Sequence, residues 1–319
     1  METRILGKDL KVSAIGLGCM GLSHANGAPT EENEAVRLLR EAVEDGYTFF
    51  DTAETYGYKE DPHNNEKLLG KAFTGMRDKL VIATKFGVWF DFSQDPDHPQ
   101  LHTDSRPETI RKSVEESLRR LNTGYIDLYY QHRVDPNVEP ETVAKVMAEL
   151  IKAGKIRHWG VSMASEEYIR RAHAVCPLTA SQNVYSLIAP DESLFNTFEE
   201  LNIGLVSCCP IAKGLLTGAY SKGEQFENGD MRKGSAWFSD ETMDKTKPLM
   251  DYLPQLGAEK NATLGQLSLA WMINKKPWIV PIPDTRKSSR LKENAGAGDI
   301  RLTAEEVAGI DAAIAAMNA

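Results

Sequence analysis

The chain is poor in cysteine, and this limits its possible classes. Its 319 residues include four cysteines, at Cys19, Cys176, Cys208 and Cys209. Their spacing does not resemble a zinc ribbon or a secreted disulfide framework, so we expect reduced thiols in the cytoplasm and no metal site. Adjacent Cys208 and Cys209 would point to opposite faces of a strand, which disfavours a bond between them.

Long apolar runs and an excess of positive charge are also missing. No apolar run approaches the roughly 18 residues that cross a bilayer, and the first residues, METRILGKDL, lack the apolar core of a signal peptide. The net charge of -9 does not favour binding to nucleic acid or to an anionic membrane. We therefore expect neither as a partner, and the sequence leaves the oligomeric state open.

What the sequence does contain is an alternation of strand and helix patterns. Short runs rich in β-branched and aromatic residues are typical of buried strands, and the segments between them have the apolar spacing of amphipathic helices. The predicted strands are Ala14–Leu17, Thr48–Asp51, Leu80–Thr84, Ile126–Tyr130, His158–Val161, Ala180–Asn183, Gly204–Ser207 and Trp278–Pro281. The predicted helices are Glu31–Glu44, Asn65–Phe73, Pro107–Leu121, Pro140–Ile151, Ser165–Ala174, Asp191–Leu201 and Thr263–Asn274.

Eight such strands favour a (β/α)8 TIM barrel of the α/β class over an open sheet. We expect a single domain over residues 1–319, with a β-hairpin at 3–13 before the barrel and an extra C-terminal helix at Thr303–Met317. The segments 87–106 and 209–258 exceed the usual length of a βα loop, and long loops without regular structure are usually functional.

Three aromatic residues are candidates for substrate binding. Trp89 and Trp237 lie in the two long segments, and Tyr185 closely follows a predicted strand. Aromatic residues near a catalytic face commonly line a substrate pocket. The alternative is that they anchor the loops to the barrel.

Four polar residues follow or end apolar runs: Asp51, Tyr56, Lys85 and His132. A barrel brings the carboxyl ends of its strands to one face, so these side chains should converge. A phenol is a poor acid at neutral pH unless its anion is stabilised, which an adjacent ammonium does. Lys85 would stabilise Tyr56, Asp51 would keep Lys85 charged, and His132 would orient a substrate oxygen. This arrangement is suited to carbonyl reduction, with Tyr56 as the general acid.

Each of these residues also has a structural interpretation. Asp51 is a possible helix cap, and Tyr56 a possible amphipathic packing residue. Lys85 at a strand end is a possible solvated lysine, and His132 a possible core histidine bonded to a backbone carbonyl. Their agreement with one pattern favours the catalytic interpretation.

The motifs around these four residues resemble those of the aldo-keto reductase family. The segments GYTFFDTAETYG, VIATKFG and LNTGYIDLYYQH carry them, and the resemblance extends to GKIRHWGVS at 154–162 and IPDTRKSSRLKEN at 282–294. It therefore covers nearly the whole chain. It implies a TIM barrel that binds a nicotinamide cofactor, usually NADPH, in an extended form without a Rossmann fold.

The resemblance also implies residues for the nicotinamide. It places the carboxamide on Ser162 and Gln182, and Met163 stands where the family often has asparagine. Cys208 stands where an aromatic residue commonly stacks on the nicotinamide. A thiol offers less contact area than a ring.

The rest of the cofactor would lie along three further loops. Gly18 and Met20 in the first βα loop would line the cleft. The pyrophosphate would meet the loop that begins at Pro210 and Ile211, with charge from Lys213 and close backbone approach at Gly214. The residues implied for the adenosine end are Asp284, Arg286, Ser288, Arg290, Glu293 and Asn294.

The adenosine end carries a discordant residue. Arg286 and Arg290 suit a 2′-phosphate because guanidinium is planar and permanently charged, although a solvated basic turn is the alternative. Asp284 would repel that phosphate, and an acidic residue can instead accept from a free ribose hydroxyl. The sequence predicts NADPH, with NADH possible because of Asp284.

The segment from Gly16 to Gly21 fits G-x-G-x-x-G, but we do not interpret it as a dinucleotide fingerprint. That motif requires a helix directly afterwards, whereas LSHANGAPT is loop-like and the predicted helix starts only near Glu31. We interpret it as the first βα loop of the barrel.

The leading hypothesis is an oxidoreductase, an NAD(P)H-dependent reductase of an aldehyde or ketone. One alternative is a cofactor-binding regulatory protein with slow turnover. A second is a lyase that uses Lys85 as a Schiff-base amine, although this needs a lowered lysine pKa, which Asp51 opposes.

Overall fold

The computed structural model describes residues 1–25, 27–91, 93, 100–227 and 230–317. Its strands, in chain order, are β1 Thr3–Leu6, β2 Leu10–Ser13, β3 Leu17–Gly18, β4 Phe49–Asp51, β5 Val81–Phe86, β6 Val88–Asp91, β7 Gln100–Thr103, β8 Ile126–Gln131, β9 Ile156–Ser162, β10 Ala180–Val184, β11 Gly204–Cys208 and β12 Ile279–Pro281. Within the described residues, eight of them form one parallel sheet in the order β3, β4, β5, β8, β9, β10, β11, β12.

This sheet closes on itself between its first and last strands. The Gly16 N–H donates to Pro281 O at 3.0 Å, and the Gly18 N–H donates to Pro283 O at 3.2 Å. A side chain does not fit at Gly18 in this seam, because its Cβ would lie 2.8 Å from Ile282 O. The predicted (β/α)8 barrel is confirmed.

The predicted N-terminal hairpin is also confirmed. Strands β1 and β2 pair antiparallel, with Gly7 at φ +57° in the turn. Leu6, Leu10 and Val12 are buried in one apolar cluster with side chains from the barrel interior, and a Cβ on Gly204 would lie 2.4 Å from Leu6. Because Gly204 begins β11, the hairpin seals the amino-terminal end of the barrel.

Helices surround the sheet: α1 Glu32–Glu44, α2 Asn64–Ala72, α3 Pro107–Arg120, α4 Pro140–Lys152, α5 Glu166–Val175, α6 Phe195–Leu201, α7 Asp240–Lys245, α8 Lys247–Lys260, α9 Leu264–Lys275, α10 Ser288–Gly296 and α11 Ala304–Met317. Their starts follow local chemistry. Pro107 and Pro140 occupy first turns, and Thr263 forms a capping box with Gln266. The apolar faces of the helices pack on the outside of the sheet.

Two expectations about the chain need correction. The long segments contain regular structure: β6 and β7 pair as a hairpin within 87–106, and α7 and α8 lie within 209–258. Helix α6 begins at Phe195 rather than Asp191. The Asp191 side chain instead accepts from the Ser193 N–H at 2.9 Å, which competes with helix formation.

Among the helices that the structure describes, none is both long and apolar enough to cross a membrane.

Candidate active site

The four residues predicted to converge do so at the carboxyl ends of the strands. Lys85 Nζ donates to Asp51 Oδ1 at 2.5 Å and to Tyr56 Oη at 3.2 Å. The Tyr56 and His132 rings meet edge to face, with centroids 5.5 Å apart. The barrel strands β4, β5 and β8 hold Asp51 and Lys85 and lead into His132, because parallel strands bring corresponding ends together.

Lys85 is held by neighbours on more than one side. Its side chain is fully buried and also donates to Thr52 O at 2.8 Å. Burial alone would lower the pKa of Lys85, but the charge of Asp51 and its hydrogen bonds outweigh burial and raise that pKa. Lys85 is therefore an ammonium at neutral pH.

Asp51 accepts from two donors. Its Oδ1 pairs with Lys85, and its Oδ2 accepts from Gln182 Nε2 at 2.7 Å. Burial raises the pKa of Asp51, with Lys85 and Gln182 opposing that effect. Since both donors favour the charged form, we assign an ionised carboxylate that orients Lys85.

Tyr56 remains protonated in this geometry. Burial raises the pKa of Tyr56 to about 12, although the charge of Lys85 acts to lower it. The expectation that Lys85 makes the free phenol a stronger acid than usual is therefore not met, because desolvation exceeds the attraction of the ammonium. The phenol keeps a proton to donate.

His132 is neutral. Burial lowers its pKa well below the usual value, and the charges of Lys85 and Arg133 act in the same direction. Its Nδ1 is buried without a hydrogen-bond partner among the described residues. A neutral imidazole has one N–H to donate, so it can hydrogen-bond a carbonyl oxygen.

His24 is a site residue that sequence reasoning missed. Its ring stacks on Tyr56 with centroids 6.0 Å apart and on Phe90 at 5.6 Å. His24 Nδ1 bonds to Gly57 O at 2.7 Å. The only available signal was its place in the first βα loop, since nothing in its spacing links it to Tyr56.

A buried charge cluster is connected to the segment that carries Tyr56. Arg120 Nε donates to Glu66 Oε2 at 2.6 Å, and Arg120 Nη2 lies 4.0 Å from Glu54 Oε2. Glu54 Oε1 accepts from the Gly87 N–H at 2.9 Å. Burial, followed by the charge of Glu66, raises the pKa of Glu54 to about 7. Glu54 was also missed, because its partners are far away in sequence.

A cavity of about 310 Å³ opens beside Tyr56. Thr55 and Gly57, the neighbours of Tyr56, line it together with His24, Trp89 and Phe90. Its wall also includes charged side chains, among them Lys112 and Glu116, and none of the four converging side chains lines it.

The three predicted substrate residues lie in different places. Trp89 lines the cavity and is 50% exposed, so a ligand can reach it. Trp237 lies next to the predicted pyrophosphate loop, with its ring 5.7 Å from Lys213 Nζ. Tyr185 is fully buried and stacks on Trp271 with centroids 5.2 Å apart. The substrate interpretation of Tyr185 is wrong, because no part of its ring is open to a ligand.

The predicted nicotinamide residues border the candidate catalytic group. Ser162 Oγ accepts from Arg133 Nη1 at 3.2 Å, and Gln182 is bonded to Asp51. Met163 adopts φ +56°, a left-handed conformation that suits asparagine better than methionine. Arg133 carried no sequence signal beyond its position after His132.

The predicted pyrophosphate loop follows β11 and is unusual in its backbone. Cys209, Ala212, Lys213 and Gly214 all have positive φ, between +48° and +97°. Non-glycine residues in this region are uncommon, and this one turn contains three of them. Lys213 Nζ donates to Met231 O at 3.2 Å, which connects this loop with the long segment after it.

At the predicted adenosine end, most polar groups already have partners. Arg290 pairs with Glu293 at 2.6 Å, and Ser288 Oγ donates to Glu41 Oε2 at 2.7 Å. Asn294 is buried. Burial raises the pKa of Asp284, and the charge of Arg286 is among the groups that oppose it.

Arg286 provides the test of whether a dinucleotide fits. Its Nε donates to Gly21 O at 2.5 Å and its Nη1 to Ala28 O at 2.8 Å, while its Nη2 is buried with no partner among the described residues. A buried guanidinium nitrogen with a free donor suits an anionic oxygen such as that of a phosphate. The residues therefore fit a phosphate-bearing cofactor.

Comparison with known proteins agrees with this geometry. The sequence matches the aldo/keto reductase family over residues 14–315, and the chain belongs to that family. It is 37% identical to aldo-keto reductase str7 from Strobilurus tenacellus over 322 residues, which covers 97% of this chain and 91% of that protein. The resemblance drawn from the sequence motifs is confirmed, and the family makes this protein an oxidoreductase.

Solved structures are similar over the whole barrel. The glycerol dehydrogenase AKR11B4 from Gluconobacter oxydans has a TM-score of 0.87 at 28% identity, covering 98% of this chain and 94% of that one. An aldo/keto reductase from Klebsiella pneumoniae, solved in complex with NADP and acetate, has a TM-score of 0.73 at 25% identity, covering 98% and 95%.

Proposed function

We propose that this protein reduces an aldehyde or ketone with NADPH, and that Tyr56 donates the proton. The observation that supports this most directly is the position of Lys85 Nζ, 2.5 Å from Asp51 Oδ1 and 3.2 Å from Tyr56 Oη. An ammonium in contact with a phenol stabilises the phenolate that remains after proton transfer. When bound, NADPH supplies the hydride that is added to the carbonyl carbon.

The proton moves from Tyr56 to the carbonyl oxygen. With a pKa of about 12, the Tyr56 phenol is a stronger acid than water, whose pKa is about 15.7, and an alkoxide has a basicity comparable to hydroxide. Transfer to a developing alkoxide is therefore favourable, while the free enzyme keeps its proton at neutral pH. His132 donates its N–H to the same oxygen and holds it near Tyr56.

Residues on three loops would hold the cofactor. Ser162 and Gln182 would bind the nicotinamide amide, and Lys213 would provide charge near the pyrophosphate. Arg286, whose buried Nη2 has no partner among the described residues, supports NADPH. Asp284 next to it is the reason to test NADH as the alternative cofactor.

The cavity beside Tyr56 indicates the class of substrate. Trp89, Phe90 and His24 line its wall, and their rings favour an aromatic or apolar group attached to the carbonyl. We propose that the protein is a single domain and that it lies in the cytoplasm. In that compartment its free cysteines stay reduced.

A Schiff-base role for Lys85 has less support. A nucleophilic amine needs a lowered pKa, whereas Asp51 raises that of Lys85. Reduction with borohydride in the presence of a carbonyl substrate would trap such an intermediate, and we expect no covalent adduct.

The test is NADPH oxidation with a panel of aromatic aldehydes and ketones. Tyr56→Phe should lower kcat by about 100-fold or more, the usual contribution of a general acid. Tyr125→Phe is the matched control, since Tyr125 lies at the amino-terminal end of β8, where its ring contacts Arg77 and Arg157. A rate in Tyr56→Phe equal to that of the wild type would show that another group donates the proton, and an inactive wild type would favour a regulatory protein with slow turnover.

A further inference from the structure

Arg133 lies at the carboxyl-terminal face of the barrel, in the loop that joins β8 to α4. It directly follows His132, and its Nη1 donates to His132 O at 2.7 Å and to Ser162 Oγ at 3.2 Å. Ser162 is the last residue of β9, the strand that pairs with β8. The two hydrogen bonds therefore fix the guanidinium beside His132, between the ends of two neighbouring strands.

The charge of Arg133 is not paired within the described part of the chain. Both of its hydrogen bonds go to uncharged oxygens, and no described carboxylate forms an ion pair with it. The acid nearest in sequence, Asp135, is buried and bonded elsewhere. Its Oδ2 accepts from the Ser105 N–H and its Oδ1 from the Asn137 N–H, each at 2.9 Å.

Other arginines in comparable positions are paired. Arg106 and Arg232 each form an ion pair with the aspartate two residues before them, at 2.6 Å and 2.5 Å. Arg133 has Asp135 at the same separation in sequence but makes no such pair with it. Because a guanidinium keeps its charge at all physiological pH values, Arg133 is suited to an anion that comes from outside the chain.

The guanidinium of Arg133 presents the edge that a carboxylate fits. Nη1 makes both hydrogen bonds, whereas Nε and Nη2, which form the other edge, donate to no described residue. Two parallel N–H donors on one edge can bind both oxygens of a carboxylate. The side chain is partly exposed, so a ligand can reach this edge.

The proposed function puts the reacting carbonyl close to Arg133. In that function the carbonyl oxygen lies between Tyr56 and His132, and the nicotinamide amide lies on Ser162. Arg133 is bonded to His132 O and to Ser162 Oγ and thus borders both positions. A negative group attached directly to the carbonyl carbon is the part of a substrate that Arg133 would meet.

We propose that Arg133 selects a substrate carboxylate, and that this protein reduces 2-oxo acids to 2-hydroxy acids. The inference rests on the proposed function and adds a charged group to its carbonyl substrate. The Nε–Nη2 edge of Arg133 binds the carboxylate, which does not react. The hydride of NADPH adds to the carbonyl carbon, the C=O π bond breaks, and Tyr56 gives its proton to the oxygen.

Benzoylformate and its methyl ester test this inference in steady-state kinetics with NADPH. They share the keto group and the phenyl ring, and only benzoylformate carries a carboxylate. Arg133→Gln should lower the ratio of kcat/KM for benzoylformate to kcat/KM for the ester by about 10-fold or more, the usual effect of losing a charged hydrogen bond. Arg133→Lys should recover part of the ratio, because it keeps the charge without the planar fork. Arg119→Gln, at an exposed position of α3, is the control and should keep the wild-type ratio.

A second readout requires no turnover. With NADP+ present, benzoylformate should raise the Tm of the wild type more than the ester does, and Arg133→Gln should lose this difference. If that variant does not fold, the wild type alone still tests the inference. Its kcat/KM for benzoylformate should fall with rising salt concentration while that for the ester stays constant, because salt screens the attraction between opposite charges.

The outcomes separate this inference from the proposed function. An unchanged ratio in Arg133→Gln, or an equal loss for both compounds together with weaker NADPH binding, would overturn the role of Arg133 in substrate choice. Reduction of the ester would in either case leave the proposed function intact. If the wild type reduces neither compound but shows a Tm shift that depends on Arg133, the carboxylate site stands and the proposed function fails.

Discussion

Glu54 should make the stability of this protein depend on pH, and a substitution of Glu54 should remove this dependence. The folded pKa of Glu54 is about 7, compared with its ordinary value of 4.5. The fold thus favours the protonated carboxyl, because the side chain is only 12% exposed and shares Arg120 with Glu66. The stability that this group contributes is complete below about pH 4.5 and is lost as the pH rises to about 7.

The magnitude follows from the difference between the two pKa values. At about 1.36 kcal/mol per pH unit, ionisation of Glu54 costs the fold about 3 kcal/mol, which is an upper bound. Glu54→Gln keeps an oxygen that can accept from the Gly87 N–H but cannot ionise. We expect the variant to gain stability relative to the wild type above about pH 7 and to gain far less near pH 5.

The assay compares Tm values of wild type and variant at about pH 5 and about pH 8.5. A stabilisation of this size corresponds to a rise of roughly 5 °C in Tm for a domain of this length. Glu60→Gln controls for the loss of one negative charge, since Glu60 is exposed on the same segment. If Glu54→Gln changes Tm equally at both pH values, the assignment of a protonated, buried Glu54 is wrong.

Three further predictions concern catalysis, cofactor choice and barrel closure. Lys85→Met should lower kcat/KM by about 100-fold or more, because the Tyr56 phenolate loses the ammonium that stabilises it. A smaller loss in steady-state kinetics would argue against this stabilising role of Lys85. Asp284→Gly should tighten NADPH binding in fluorescence titrations and leave the affinity for NADH little changed. Equal effects on the affinities for both cofactors would exclude repulsion of the 2′-phosphate. Gly18→Ala should destabilise the fold by about 1–3 kcal/mol in urea unfolding, since its Cβ would meet Ile282 O, whereas Gly124→Ala should not, because a Cβ on Gly124 has no neighbour within 4 Å. Equal destabilisation of both glycine variants would contradict this view of the barrel seam.

The barrel and its candidate catalytic residues are predictable because they depend on local patterns. Asp51 and Lys85 each end a short apolar run, and the carboxyl ends of the strands of a parallel barrel lie on one face. Tyr185 shows where such reasoning fails. Gln182 is hydrogen-bonded to Asp51 inside the barrel, whereas Tyr185 lies one residue beyond the end of β10 and stacks on Trp271.

The remaining site residues depend on contacts between distant segments. Glu54 gains its raised pKa from burial and then from the charge of Glu66, and His24 reaches Tyr56 only because two loops meet. The turn at Cys209 depends on a left-handed residue that its side chain does not favour. Periodicity and composition carry no information about such contacts between distant segments.

The seam of the barrel has a consequence for how the protein is made. Residues 16–18 hydrogen-bond to residues 281–283, which leave the ribosome 265 positions later. During synthesis the edges of β3 and of the growing sheet therefore stay unpaired, and unpaired edges invite association between nascent chains. A chain that stops before Pro281 would keep such an edge permanently, so we expect premature termination to yield aggregates rather than a smaller folded enzyme.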